Sequence, residues 1–190
     1  MWLHILTSVG WMSQAMALCV LLSVGLANDR VRSAAMSMAV ALDGRLVGPM
    51  ADASAFTGIM LAAATPWGFF LYWWVLAKFS ITIVQLYAGI FVLSPALPGG
   101  PSARQIAGTA LMASAIAFQG WLSVAKPWRR VRPGRPGTAP PWVFVVAVLG
   151  ALADLALALV VGHPLPLLSI GLLVVVLVRR RTWQSAVLSR

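Results

Sequence analysis

Seven side chains stand where an apolar run gives them no obvious reason to be: His4, Gln14, Asp52, Lys78, Gln85, Gln119 and Asp154. A polar group in hydrocarbon is expensive unless it faces other helices or water, so each is a candidate for function. Two sets share a face. His4, Ser8, Trp11 and Gln14 follow one another at steps of four, three and three residues, and Trp74, Lys78, Thr82 and Gln85 repeat that helical spacing. Both stripes are expected to face the interior of a bundle. They would either line a cleft or make interhelical hydrogen bonds, each worth about 0.6 to 2 kcal/mol. The glutamines fit the second role.

Lys78 is a different case. An ammonium in lipid needs a counter-charge, a water-filled cleft or an anionic ligand. Its candidate protein partners are Asp52 and Asp154, or else it snorkels to the near interface. Depth along the helices, at about 1.5 Å per residue, puts Lys78 roughly 10 Å and Asp154 roughly 18 Å from one face. Asp154 or Gln119 is therefore the expected acceptor, and Asp52 enters from the wrong side.

Catalytic residues are not assignable. No nucleophile has a base and an orienting acid, no glycine-rich loop follows a strand, and no two histidines have metal-ligand spacing. The single cysteine, Cys19, allows neither a disulfide within the chain nor a cysteine metal site. The expectation is a non-enzymatic protein without a metal centre. Haem is the cofactor to test in an apolar helical bundle. A bis-histidine site would need His4 and His163, which six crossings place on opposite faces about 30 Å apart. His4 remains as a lone ligand or an interfacial histidine.

The surrounding elements explain why these residues matter. Of 190 residues, 61% are hydrophobic and only 9% charged, against about 25% charged in a soluble domain. A chain this short leaves much of itself outside, so its outside is apolar and its solvent is lipid. The fold class is all-α, a polytopic transmembrane helical bundle of about six spans. Apolar runs at 3–27, 47–64, 70–93, 106–124, 142–161 and 167–178 supply them, the last short for a crossing. Residues 1–125 form a four-helix core. Its connector at 28–46 either lies at the interface or extends a neighbouring helix. Residues 126–141 are a basic, Pro/Gly-rich loop, and 142–190 a helical hairpin with a basic tail. The first run lacks a preceding Lys or Arg and is too long for a signal-peptide core, so it is expected to be retained.

The net charge of +10 is clustered. Lys126, Arg129, Arg130, Arg132 and Arg135 abut one run, and Arg179, Arg180 and Arg181 close another. Basic groups that abut apolar runs point to anionic lipid headgroups rather than nucleic acid. With six spans these clusters share a side with both termini, and the positive-inside rule places that side in the cytoplasm of a cell whose plasma membrane holds the chain. Trp2, Trp67, Trp73, Trp74, Trp121, Trp128 and Trp142 near helix ends form the matching aromatic belt. Small-residue ridges at Ser54-Gly58-Ala62, Ala110-Ser114, Ala113-Ala117 and Gly150-Asp154-Ala158 suit close helix packing, self-association or a membrane partner.

The segments LHILTSVGW (3–11), GRLVGP (44–49) with Gly58 beyond it, and WWVLAKFSI (73–81) resemble a group of small bacterial membrane proteins. The group comprises copper-resistance-D-like domains, HemJ-type protoporphyrinogen oxidases and an uncharacterised family of predicted integral membrane proteins. In it a histidine opens the first helix, a Trp follows about two turns later, and W-x-x-x-K marks the third. The resemblance covers roughly residues 1–125 and carries over His4, Trp11, Arg45, Pro49, Gly58, Trp74 and Lys78. The enzyme branch would imply His4, Arg45 and Lys78 as cofactor-binding residues with a porphyrin as ligand. The scattered methionines, Met36 and Met38 among them, make a poor soft-metal site. The uncharacterised relatives are the nearest match, which implies a fold and not a reaction. Three roles follow: an accessory or packing subunit, a haem- or porphyrin-linked redox protein using His4, Arg45 and Lys78, or a small transporter with a polar path through Lys78 and Asp154.

Overall fold

A computed structural model describes residues 1–131, 139–161 and 167–188, with side chains in the last helix through Val176 and at Val178. Six helices make up the described chain: α1 (Trp2–Ala27), α2 (Asp29–Ala64), α3 (Trp73–Gly99), α4 (Ala103–Ala125), α5 (Pro141–Val161) and α6 (Leu167–Leu188). Five of them, α1 to α5, are long and apolar enough to cross a membrane. The protein is a multi-pass helical bundle. Of the residues named above, Arg132, Arg135 and His163 lie outside the described residues, as do the side chains of Arg179, Arg180 and Arg181.

The stretch from Asp29 to Leu42 is not a separate element. Asn28 starts it by accepting a hydrogen bond from the Arg30 N–H at 3.0 Å. The helix then runs unbroken for 36 residues into the second span. Pro49 should interrupt it, because its ring crowds the carbonyl four residues earlier. That carbonyl belongs to Arg45, inside a single π-helical turn at Asp43–Val47. The wider turn makes room for the ring and carries the helix past it. α3 repeats the device. Its π turn at Gly89–Leu93 brackets the carbonyl four residues before Pro95, so the helix continues to Gly99 instead of stopping near Leu93. Gly100, at φ 94°, takes a backbone conformation that side chains rarely allow, and the helix ends there.

Packing is organised around α2. It runs antiparallel to α1 along its whole length: Ala35 and Ala39 meet the Gly25 and Leu22 end, while Ser54 and Thr57 meet the His4 end. α4 closes the other side of α1, with Trp11 and Ala15 seated against Met112, Ala113 and Ile116. α5 lies on the far flank of α2, where Val143, Ala147 and Ala151 pack against Phe56, Met60 and Ala63. α3 is held chiefly by α4 and is the least covered helix. Only 11% of its apolar window is buried, against 61% for α2, so most of its surface is left for lipid.

One end of the bundle gathers the start of α1, the end of α2, the start of α3, the end of α4 and the start of α5. Val131 N–H donates to the Leu71 carbonyl at 2.7 Å and Ala139 N–H to the Ala64 carbonyl at 3.0 Å. The turn around Trp67 and the basic segment after Lys126 therefore lie on the same side, as the span count predicted. Trp2, Trp67, Trp73, Trp128 and Trp142 are exposed there.

The sixth helix, expected to be short for a crossing, starts inside the bundle. Asp154 in α5 accepts the Leu168 N–H on one carboxylate oxygen at 3.1 Å and the Ser169 N–H on the other at 2.7 Å. These are first-turn donors of α6, which have no partner within their own helix. Asp154 lies seven residues before Val161, so α6 begins about 10 Å below the end of α5. From there it runs back antiparallel to α5, with Leu172 beside Gly150 and Val176 in the cluster of Ala147 and Val143. Its apolar run, residues 167–178 of the sequence, is short for a crossing.

Candidate functional site

The α1 stripe faces inward, as its spacing predicted. His4 and Ser8 are half-buried against α2 and Trp11 is buried. His4 Nδ1 lies 3.1 Å from the Ser54 carbonyl and 3.1 Å from Thr57 Oγ1. The carbonyl can only accept, and the Thr57 hydroxyl spends its proton on the Ala53 carbonyl at 2.7 Å. The network therefore assigns the proton to Nδ1 and leaves a lone pair on Nε2. Gly58 makes this seating feasible, since a Cβ there would sit 2.9 Å from His4 Cε1. Ser8 and Ser54 hydroxyls share a 2.7 Å bond one turn deeper.

The α3 stripe forms the facing wall, where Trp74 and Gln85 are buried and Lys78 and Thr82 half-buried. Lys78 points into the bundle, but neither expected acceptor takes it. Its ammonium donates to Ser123 Oγ at 2.6 Å, and Ser123 in turn donates to the Gln119 carbonyl at 3.0 Å. Asp154 is occupied by α6, in the seam of α5 and α6 and not in that of α3 and α4. Lys78 and Asp154 thus share no described bond and line no common seam. Ser123 went unnoticed in the sequence, although it lies four residues from Gln119 and so on the same face of α4.

Below Lys78 the polar groups consume one another. Thr82 donates to Gln119 Oε1 at 3.0 Å, Gln119 Nε2 donates to Gln85 Oε1, and Gln85 Nε2 donates to the Met112 carbonyl at 2.9 Å. This ladder clamps α3 to α4, in the role expected of the glutamines. Gln14 is half-buried, and its Oε1, like the Trp11 Nε1, is buried without a hydrogen-bond partner among the described residues. Asp52 is half-buried, lies within electrostatic range of Asp154, and makes no hydrogen bond among the described residues.

Of the three residues implied as a cofactor set, two come together. Lys78 is within electrostatic range of the His4 ring, and both sit near the end of the bundle that gathers the exposed tryptophans. Arg45 does not join them. It is exposed and lies 12 residues before Thr57, His4's partner, which is about 18 Å along α2. No group of three or more metal-ligating side chains occurs among the described residues. No protein-family model, curated protein or solved structure matches the chain.

Proposed function

We propose that this is a non-enzymatic multi-pass protein of the cell membrane, acting as an accessory or packing subunit. The observation that carries the reading is the fate of its intramembrane polar groups. Ser8 with Ser54, Thr82 with Gln119 and Gln85, Lys78 with Ser123, and Asp154 with α6 are all committed to holding helices together. α3, fixed on one side by this ladder, turns Val84, Tyr87 and Phe91 outward. The basic end faces anionic headgroups on the cytoplasmic side, and the N-terminus lies there too. Photo-crosslinking from position 84 or 91 in native membranes tests the subunit role. One membrane protein captured in fixed stoichiometry, and depleted when this chain is removed, supports it. Crosslinks to lipid alone overturn it.

A second reading has one observation in its favour, the open Nε2 of His4 beside Lys78. A porphyrin bound there would find a ligand nitrogen in His4 and a cation for a carboxylate in Lys78, while Arg45 is too distant to share the group. Bound haem supplies electron transfer; this chain supplies the fixed imidazole, held through Ser54 and Thr57. The absorption spectrum of the detergent-purified protein decides. A Soret band lost in His4→Ala supports this reading, and no band leaves the first.

A further inference from the structure

We propose that Lys126 and Arg130 form a seat for the phosphate of an anionic phospholipid, a specific site that rests on the headgroup reading above. The segment after α4 is built onto the turn before α3. Besides the bond from Val131 to Leu71, Tyr72 and Arg130 form an antiparallel bridge, and the Arg130 Nε–H donates to the Tyr72 hydroxyl at 3.0 Å. The rings of Trp67 and Tyr72 lie 5.6 Å apart, and both touch buried Trp74 at 5.2 and 6.2 Å. Each of the two outer rings carries a cation. Lys126 Nζ sits 4.6 Å from the Trp67 centroid and the Arg130 guanidinium carbon 5.3 Å from that of Tyr72. Two neighbouring rings thus each hold a positive group, and both residues are exposed.

Three features select the occupant. First, no acidic side chain shares this end. Asp29 and Asp43 lie on the opposite half of α2, and Asp52 and Asp154 lie well inside the bundle. No acidic side chain neutralises the pair, so an external anion is attracted. Second, exposed Trp73, Trp128 and Trp142 lie at the same end of the bundle, as an aromatic belt at headgroup depth does. Third, each outer ring already carries a cation. A choline headgroup, which would bind through its quaternary ammonium over an aromatic face, would meet a like charge at Trp67 and at Tyr72. A phosphate with a neutral or anionic substituent fits.

The test uses the full chain in nanodiscs of phosphatidylcholine, with and without phosphatidylglycerol. Phosphatidylglycerol should raise the thermal midpoint of the parent by several degrees. The rise should vanish in Lys126→Gln/Arg130→Gln and survive in Arg30→Gln/Arg32→Gln at the opposite end. No rise in the parent overturns the headgroup reading itself. A rise that persists undiminished in Lys126→Gln/Arg130→Gln overturns this site alone. Inorganic phosphate reproducing the rise in detergent would make the ligand a free anion and overturn the lipid. Should the double variant not fold, a rise in the parent that withstands high salt also overturns the proposal, since exposed cations are screened.

Discussion

Replacing Asp154 by alanine should destabilise the bundle more than any other single polar deletion in it. Asp154 is 6% exposed, and its two oxygens hold the Leu168 and Ser169 N–H groups at 3.1 and 2.7 Å. By chain length the site lies 13 residues past Pro141, about 20 Å inside the α5 end. Water does not reach such a place to replace the carboxylate. Leaving two buried donors unpaired costs about 1–3 kcal/mol each, a gross loss of roughly 2–6 kcal/mol. Removing a charge from the membrane interior returns part of that, about 2.5–3.5 kcal/mol on insertion scales at the centre and less for a charge already hydrogen-bonded. From the middle of that range the net expectation for Asp154→Ala is a loss of about 1–3 kcal/mol, or roughly 5- to 150-fold in the folding equilibrium at about 1.4 kcal/mol per tenfold. Asp154→Asn keeps one acceptor oxygen and drops the charge, so it should lose less than half as much. Asp52→Ala, with no described hydrogen bond and a like charge nearby, should be neutral or slightly stabilising. Reversible unfolding in mixed micelles, read by helix content, measures all three. The reasoning fails if Asp154→Ala stays within about 0.5 kcal/mol of the parent, or if Asp52→Ala loses as much as Asp154→Ala.

Gly58→Ala should lose about 1–3 kcal/mol, because its Cβ would meet His4 Cε1 at 2.9 Å and force the ring off Ser54 and Thr57; thermal unfolding beside the permissive His4→Ala/Gly58→Ala pair shows whether the ring is the cause. Gln85→Leu and Gln119→Leu should be non-additive by about 0.6–1.7 kcal/mol in a double-mutant cycle, since they share one hydrogen bond, and strict additivity would deny the ladder. Trp11→Phe should stay within about 1 kcal/mol of the parent, because the deleted N–H has no described partner and an unpaired buried donor is itself unfavourable. A loss well above that in the same unfolding assay would reveal a partner for it.

The inward stripes on α1 and α3 were legible because helical spacing fixes which residues share a face, whatever packs against it. The same periodicity made the Gln85 and Gln119 bonds foreseeable in kind. It could not give Lys78 its partner. Depth follows from counting residues, but the rotation of α4 about its axis does not, and that rotation decides whether Ser123 or Gln119 meets the ammonium. Asp154 was legible as an anomaly and misassigned as a partner. Its true use depends on where α6 starts, which is a matter of tertiary packing and not of hydropathy. The prolines misled in one respect. Pro95 reads as a stop, yet a π turn one helical turn earlier lets the helix pass, and nothing in the composition of Gly89–Leu93 announces it. Ridges of small residues were a mixed guide: Ser54 and Gly58 meet His4 and Ser8 as close packing requires, whereas Ala110 and Ser114 are exposed.

The buried start of α6 also has a consequence for how the protein is made. A segment emerging from the ribosome is ordinarily judged by the membrane on its own apolar length, and the mostly apolar run of 12 residues from Leu167 to Val178 falls well below the roughly 20 that a crossing takes. On its own it also brings first-turn N–H groups that hydrocarbon rejects. The acceptor for them is translated earlier, in α5. α6 therefore enters against a helix already in the bilayer, and the order of synthesis is the order in which the hairpin becomes insertable.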